Sequence, residues 1–238
     1  EWRLFRCGGA VMKSRDRFRE TMRYGAPDRV PYFEEGIRDD VLRAWRRQGL
    51  KRRSEFEAMF RHDRREEVHP DLEPLPRLKQ GPSSREDIDR LRRRLNPDDA
   101  RRLPRKWPIR AQELNHGEGV ETLIFVSWAN PRPLIPAAIE RGFNCLWAYE
   151  ADPQAMDYRE LRREFGRELR LIGGVDLDVL RQGESAIRRE FEEKVPALLA
   201  DGGYIPMLDG RVRVDVPFEN YRYYKRLPEK TIGVQAVI

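Results

Sequence analysis

LRLIGGVD (169–176), LDVLRQGESAIRREFEEKVPALLADGG (177–203) and YIPMLDGRV (204–212) follow one another without a break, and DVPFENYRYY (215–224) closes the run. The first piece is a short apolar stretch that ends in Gly173, Gly174 and an acid, Asp176. In the second, Leu180, Ile187, Phe191, Val195 and Leu198 recur at spacings of three, four and seven, the period of a helix with one buried face. Gly202 and Gly203, free to take positive φ, end that helix. The third piece is a second short apolar run, and it ends in Asp209. Strand, helix and strand, with an acid at the C-terminal end of each strand, spell a parallel βαβ unit. In such units chemistry collects at the C-terminal strand ends.

Working outward, the same alternation extends upstream. Strands are expected at 122–128, 144–149, 169–175 and 203–207, and helices at 132–141, 157–168 and 178–200. Near the N-terminus, Phe18 and Met22 lie four apart in a helix from Ser14 to Tyr24, which Gly25-Ala26-Pro27 ends. Asp28 to Phe33 reads as a first strand leading to Glu34 and Glu35. Asp39 to Gly49 is a helix with Val41, Leu42 and Trp45 inward, and Ser54 to Phe60 is a short helical turn. Residues 61–85 carry Pro70, Pro74, Pro76 and Pro82 and read as loop, followed by a charged helix from Ser84 to Leu95.

A chain of 238 residues is long enough for one large domain with its own core. Charged residues make up 37% and apolar ones 39%, and the apolar ones cluster in periodic runs, which excludes a disordered chain. No run approaches the ~18 apolar residues of a membrane span, so no membrane partner is expected. EWRLFRCGGAVM (1–12) lacks the apolar centre of a signal peptide. Residues 1–11 read as a disordered extension. Cys7 and Cys145 make no disulfide framework, which points to the cytoplasm. The net charge of +6 is spread among interleaved acids, with only short basic runs such as Arg92-Arg93-Arg94, and this argues against a nucleic-acid partner.

GGVDLDVLRQGESAI (173–187), KVPALLADGGYIPMLDGRV (194–212) and ENYRYY (219–224) resemble the C-terminal end of the uroporphyrinogen decarboxylase superfamily. PDRVP (27–31) after an opening helix and NPDDARRLPRKW (96–107) are similar to its N-terminal half. The resemblance covers most of 12–115, the N-terminal helices with the first strand, and most of 121–226, the later βα units, in a single structural domain. It implies a TIM-barrel (β/α)8 fold. It also implies one of two activities: cofactor-independent decarboxylation of a tetrapyrrole or related polycarboxylate, or zinc-dependent methyl transfer with a corrinoid or thiol partner. At His116 to Gly119 the chain passes straight to a strand that resembles a late one. About five strands remain against the eight of a closed barrel, so the expectation is an internally shortened, incomplete barrel. Its open strand edges would favour a homo-oligomer.

The resemblance also supplies the site. FVSWANPRPLIP (125–136) matches a late-strand motif whose His and Cys bind zinc in the methyltransferases. Val126 and Trp128 stand at those two positions, so no metal is expected, while Asn130 keeps to the pattern. Glu150 ends the strand FNCLWAYE, and Asp157 reads as the N-cap of the next helix. Asp176 reads either as a cleft acid or as an N-cap. Gly173 and Gly174 permit a ligand to approach the backbone closely. The family commonly has an Asp-His pair where this chain has Asp209-Gly210. His62, His69 and His116 read as solvated loop residues, and Cys145 as core. EEGIRDDVLRAW (34–45) replaces the decarboxylase's arginine-rich Gly-Arg-Tyr segment, which leaves Arg29, Arg38 and Arg132 to meet a carboxylate. The expected set is Asp209, Asp176 and Glu150 as catalytic acids, with Asn130, Arg29, Gly173 and Gly174 binding substrate, and neither cofactor nor metal. A methyltransferase-like member, disfavoured by Val126 and Trp128, and a non-catalytic remnant or binding module, favoured by Gly210 and the missing strands, are the rival readings.

Overall fold

Asp63 decides how the chain begins. Its carboxylate, 4% exposed, accepts hydrogen bonds from Arg29 Nη1 at 2.7 Å and Nη2 at 3.1 Å, from the Tyr32 amide at 2.8 Å, and from Arg17. Arg17 also grips Asp28 through Nε at 2.7 Å and Nη2 at 2.8 Å. The Asp63 amide donates to the Tyr32 carbonyl at 2.7 Å. Both backbone groups of Tyr32 are thereby taken, and Pro31 beside it has no N–H to give. Residues 28–33 therefore form no strand, although Val30 and Tyr32 are buried. The expected first strand is corrected to a buried extended segment held by a side chain.

The structure is a computed structural model that describes residues 11–60, 62–65, 83–94, 121–151 and 155–231. Expectations for residues 1–10, for the proline-rich stretch 66–82, for 96–107, and for His69 and His116 lie outside these residues. The chain divides into two compact units, one made of 1–65 with 124–238 and the other of 66–123. In the first, helix α1 spans Ser14–Met22, α2 Asp39–Arg46 and α3 Arg53–Met59. In the second, α4 spans Arg85–Arg94, where Asp87 and Ser84 exchange hydrogen bonds across the first turn.

The rest of the first unit is a parallel α/β assembly. Strands β1 (Ile124–Trp128), β2 (Cys145–Tyr149), β3 (Arg170–Val175) and β4 (Tyr204–Leu208) pair in the order β1-β2-β3-β4, all parallel. Between them run α5 (Ile135–Glu140), α6 (Tyr158–Phe165) and α7 (Glu184–Asp201), and α8 (Phe218–Thr231) closes the unit. Sequential order with right-handed crossovers puts successive helices on one face; α7 packs on β3 and β4, and α6 and α8 pack on α7. Two expected helices are broken. A 3-10 turn at Arg132–Leu134, beside Pro131 and Pro133, precedes α5. Gly183, at φ +98°, separates a 3-10 turn at Leu177–Arg181 from α7.

Burial rises across the sheet. β4 is wholly buried, β2 nearly so, while on β1 Val126 is 42% and Trp128 64% exposed. The sheet has four strands rather than five, and among the described residues β1 pairs only with β2. The N-terminal helices dock on α8 through aromatic rings: Trp45 of α2 lies 5.2 Å from Phe218 and 4.9 Å from Tyr221, and its Nε1 donates to the Val216 carbonyl at 2.8 Å.

Candidate functional site

Tyr158, the first residue of α6, shapes the C-terminal rim of the sheet. The β2–β3 ladder stops at Trp147 and Ile172, and the Tyr158 hydroxyl takes its place. It donates to the Ile172 carbonyl at 2.9 Å and accepts from the Ala148 amide at 3.2 Å. The ring reaches there because residues 173 and 174 lack side chains: a Cβ on Gly174, whose φ is +81°, would sit 2.6 Å from Tyr158 Cδ2. The glycine pair, expected to admit a ligand, admits a tyrosine. Beyond the parted strands, the Glu150 amide after β2 donates directly to the Asp209 carbonyl after β4, at 2.5 Å. Glu150 takes φ +44° to do so, a left-handed conformation that costs a non-glycine residue about 1–3 kcal/mol.

The three expected acids thus stand at the C-terminal ends of adjacent strands β2, β3 and β4. Asp209 is 6% exposed, and its Oδ1 accepts from the Leu177 amide at 3.0 Å. Burial pushes its carboxyl up to about 7; Asp176 and Asp178 push the same way, and the Leu177 bond and Lys194 only partly oppose them. This makes it a proton donor and acceptor near neutral pH. Glu150 is exposed, with Oε1 3.5 Å from Arg213 Nη2. Asp176 caps the 3-10 turn, accepting from the Asp178 amide at 2.8 Å, while its own amide donates to Glu190 at 3.0 Å.

Around these acids lie groups that the sequence did not single out. Arg213 bonds Asp178 at 2.9 Å, Arg181 bonds Asp178 at 3.1 Å and Asp215 at 3.0 Å, and Arg211 bonds Glu35 at 2.9 Å. Glu35 also accepts from the Tyr149 hydroxyl at the end of β2, and burial together with that carboxylate pushes the Tyr149 phenol up. The available signal was Arg211 and Arg213 alternating just past Asp209, which places both beside the strand end.

Other expected residues fall elsewhere. Asn130 is exposed and accepts from the Arg132 amide at 3.1 Å, a local turn after β1. Arg29 has both Nη groups on Asp63, and Arg132 is occupied by Glu160 at 3.2 Å and Glu164 at 2.6 Å. Arg38 pairs on the surface with Asp40 at 3.5 Å. Asp157 is the N-cap of α6, accepting from the Arg159 amide at 2.8 Å. Cys145 is fully buried, which pushes its thiol up. Among the described residues no cluster of His, Cys, Asp and Glu could hold a metal ion. Trp128 instead stacks on Tyr149, with ring centroids 5.5 Å apart.

His62 departs from the expectation of a solvated loop residue. The residue is exposed, but its Nε2 lies 3.1 Å from Lys225 Nζ and its ring 5.5 Å from that of Tyr32. Desolvation, with the neighbouring Lys225, holds the imidazole down to about 4. Among the described residues no helix is long and apolar enough to cross a membrane. The chain matches no model of a known protein family and no curated protein.

Proposed function

We propose that this chain is a uroporphyrinogen decarboxylase-like protein whose parallel sheet is part of a (β/α)8-type barrel. Its reaction is the cofactor-independent decarboxylation of a tetrapyrrole or related polycarboxylate. The observation that carries the reading is Asp209: a buried carboxyl at a strand end, holding its proton near pH 7, beside the carboxylate of Glu150 and the guanidinium groups of Arg211 and Arg213. The arginines neutralise substrate carboxylates. Asp209 gives its proton to a pyrrole ring, and Glu150 stabilises the cation that forms. The bond to the acetate carboxylate then breaks, its electron pair flows into the protonated ring, and carbon dioxide leaves. The side-chain carbon takes a proton from water and the ring returns one to Asp209, so an acetate becomes a methyl group.

The test is carbon dioxide release from uroporphyrinogen by the full chain. Release that is lost in Asp209→Asn and kept in Asp157→Asn, whose carboxylate caps α6 and pairs with Arg159, supports the reading. No release from the folded chain overturns it. The second reading is a non-catalytic binding module, and Gly210 favours it because glycine stands where the family has an imidazole. Saturable binding of a polycarboxylate without turnover, weakened by Arg213→Ala, distinguishes it.

A further inference from the structure

The two arginines at the strand-end rim are held in different ways. Arg213 uses both ends of its fork: Nη1 bonds Asp178 at 2.9 Å and Nη2 lies 3.5 Å from Glu150. Arg211 is tied at one atom, its Nε, which donates to Glu35 Oε2 at 2.9 Å. Among the described residues neither Nη group of Arg211 donates a hydrogen bond, and its side chain is 62% exposed. A guanidinium fixed through Nε keeps the outer edge of its planar fork open, and that edge matches the two oxygens of a carboxylate.

What holds that single tie is built into the sheet. Glu35 is half-buried, and its Oε1 accepts from the Tyr149 hydroxyl at the end of β2. Burial keeps the phenol protonated, so it stays the donor. Tyr149 is buried, and its ring is flanked by Trp147, with centroids 4.9 Å apart, and by Trp128, at 5.5 Å. A phenol packed against two indoles is fixed in place, so the geometry of β2 passes through Tyr149 to Glu35 and on to Arg211. Glu35 then has two opposed effects on an anion at Arg211. Its negative charge repels the anion. Its hold on Nε keeps a long, exposed side chain from spreading over many rotamers. If Glu35 only neutralised Arg211, its loss would tighten anion binding; if it positions Arg211, its loss weakens binding.

We propose that Glu35 and Tyr149 are positioning residues that present the Nη edge of Arg211 to one carboxylate of the ligand. This role rests on the reading of the rim as a polycarboxylate site, and it is tested by binding without turnover. The probe is benzenehexacarboxylate, a planar polycarboxylate with no pyrrole to protonate, titrated into the full chain by calorimetry. The parent should bind it saturably, Arg211→Ala about tenfold more weakly, and Arg163→Ala, which removes an exposed arginine of α6, as the parent does. Glu35→Ala should weaken binding by about tenfold as well, although it removes a negative charge. Glu35→Gln, which keeps an oxygen for Arg211 Nε and loses only the charge, should bind at least as tightly as the parent. Tyr149→Phe, which keeps the ring between the two indoles but loses the hydroxyl, should weaken binding about threefold. Circular dichroism checks the fold of each variant; if Glu35→Ala does not fold, the comparison of Tyr149→Phe with Glu35→Gln decides. No saturation of the parent up to about 10 mM overturns the proposal. So does binding that tightens in Glu35→Ala, a Tyr149→Phe variant indistinguishable from the parent, or a Glu35→Gln variant as weak as Glu35→Ala. Carbon dioxide release from uroporphyrinogen without these binding effects would remove the positioning role alone, and the binding effects without release would remove only the decarboxylase reading.

Discussion

Replacing Asp209 with asparagine should make the protein more stable, and only above a certain pH. The carboxyl's ordinary value of 3.8 is raised to about 7 in the fold, chiefly by burial. Between those values the folded state keeps a proton that the unfolded chain has released, so stability falls as pH rises through the window. At about 1.4 kcal/mol per pH unit the cost above pH 7 reaches about 4 kcal/mol, and relaxation around the charge brings the expected value to about 2. Asparagine keeps an oxygen for the Leu177 amide but never ionises. Urea midpoints of parent and Asp209→Asn, taken from pH 4 to pH 8.5, should coincide at the acid end and separate as pH rises, with the variant the more stable by about 2 kcal/mol at pH 8. Two parallel curves, or a variant less stable at every pH, would refute the claim that Asp209 is a buried carboxyl that resists ionising. The proton-donor role would fall with it.

Asp63→Ala leaves Arg17, Arg29 and the Tyr32 amide without their shared acceptor, and should cost about 3–5 kcal/mol in thermal or urea unfolding. Gly174→Ala forces a Cβ into the Tyr158 ring at positive φ and should cost at least about 3 kcal/mol, whereas Gly183→Ala, at φ +98° but facing open space, should cost only about 1–2 kcal/mol. Metal analysis of the purified protein should find no zinc held in one-to-one ratio after mild chelation, since Val126 and Trp128 offer no ligand atom. Light scattering on the full chain should give the mass of an oligomer, because among the described residues β1 pairs on one side only and leaves Val126 and Trp128 exposed; a monomer with one cooperative transition would show the edge to be covered.

Elements whose signal is local were legible in the sequence. Leu180, Ile187, Phe191, Val195 and Leu198 announce α7, and all but Leu180 lie on that helix as core residues. Short apolar runs ending in acids announce β3 and β4 to within a residue of their limits. What failed depended on partners far away in the chain. PDRVPYF has the composition of a strand, but its fate is set by Asp63, 31 residues beyond Tyr32. Gly173 and Gly174 signal close approach without saying what approaches, and the ring of Tyr158 comes from the preceding helix. Lys225 and Glu34 are 191 positions apart, and no spacing rule connects them. Asp176 and Asp157 illustrate the opposite case, since a cap is read from the residues that follow it, and both accept the amide two residues on.

The path from the glycine pair to the acids joins fold to chemistry. Without a side chain at 174, Tyr158 can stand between β2 and β3; with those strands parted, Glu150 reaches across to the carbonyl of Asp209. That contact lies next to Asp209, the least exposed of the three strand-end acids.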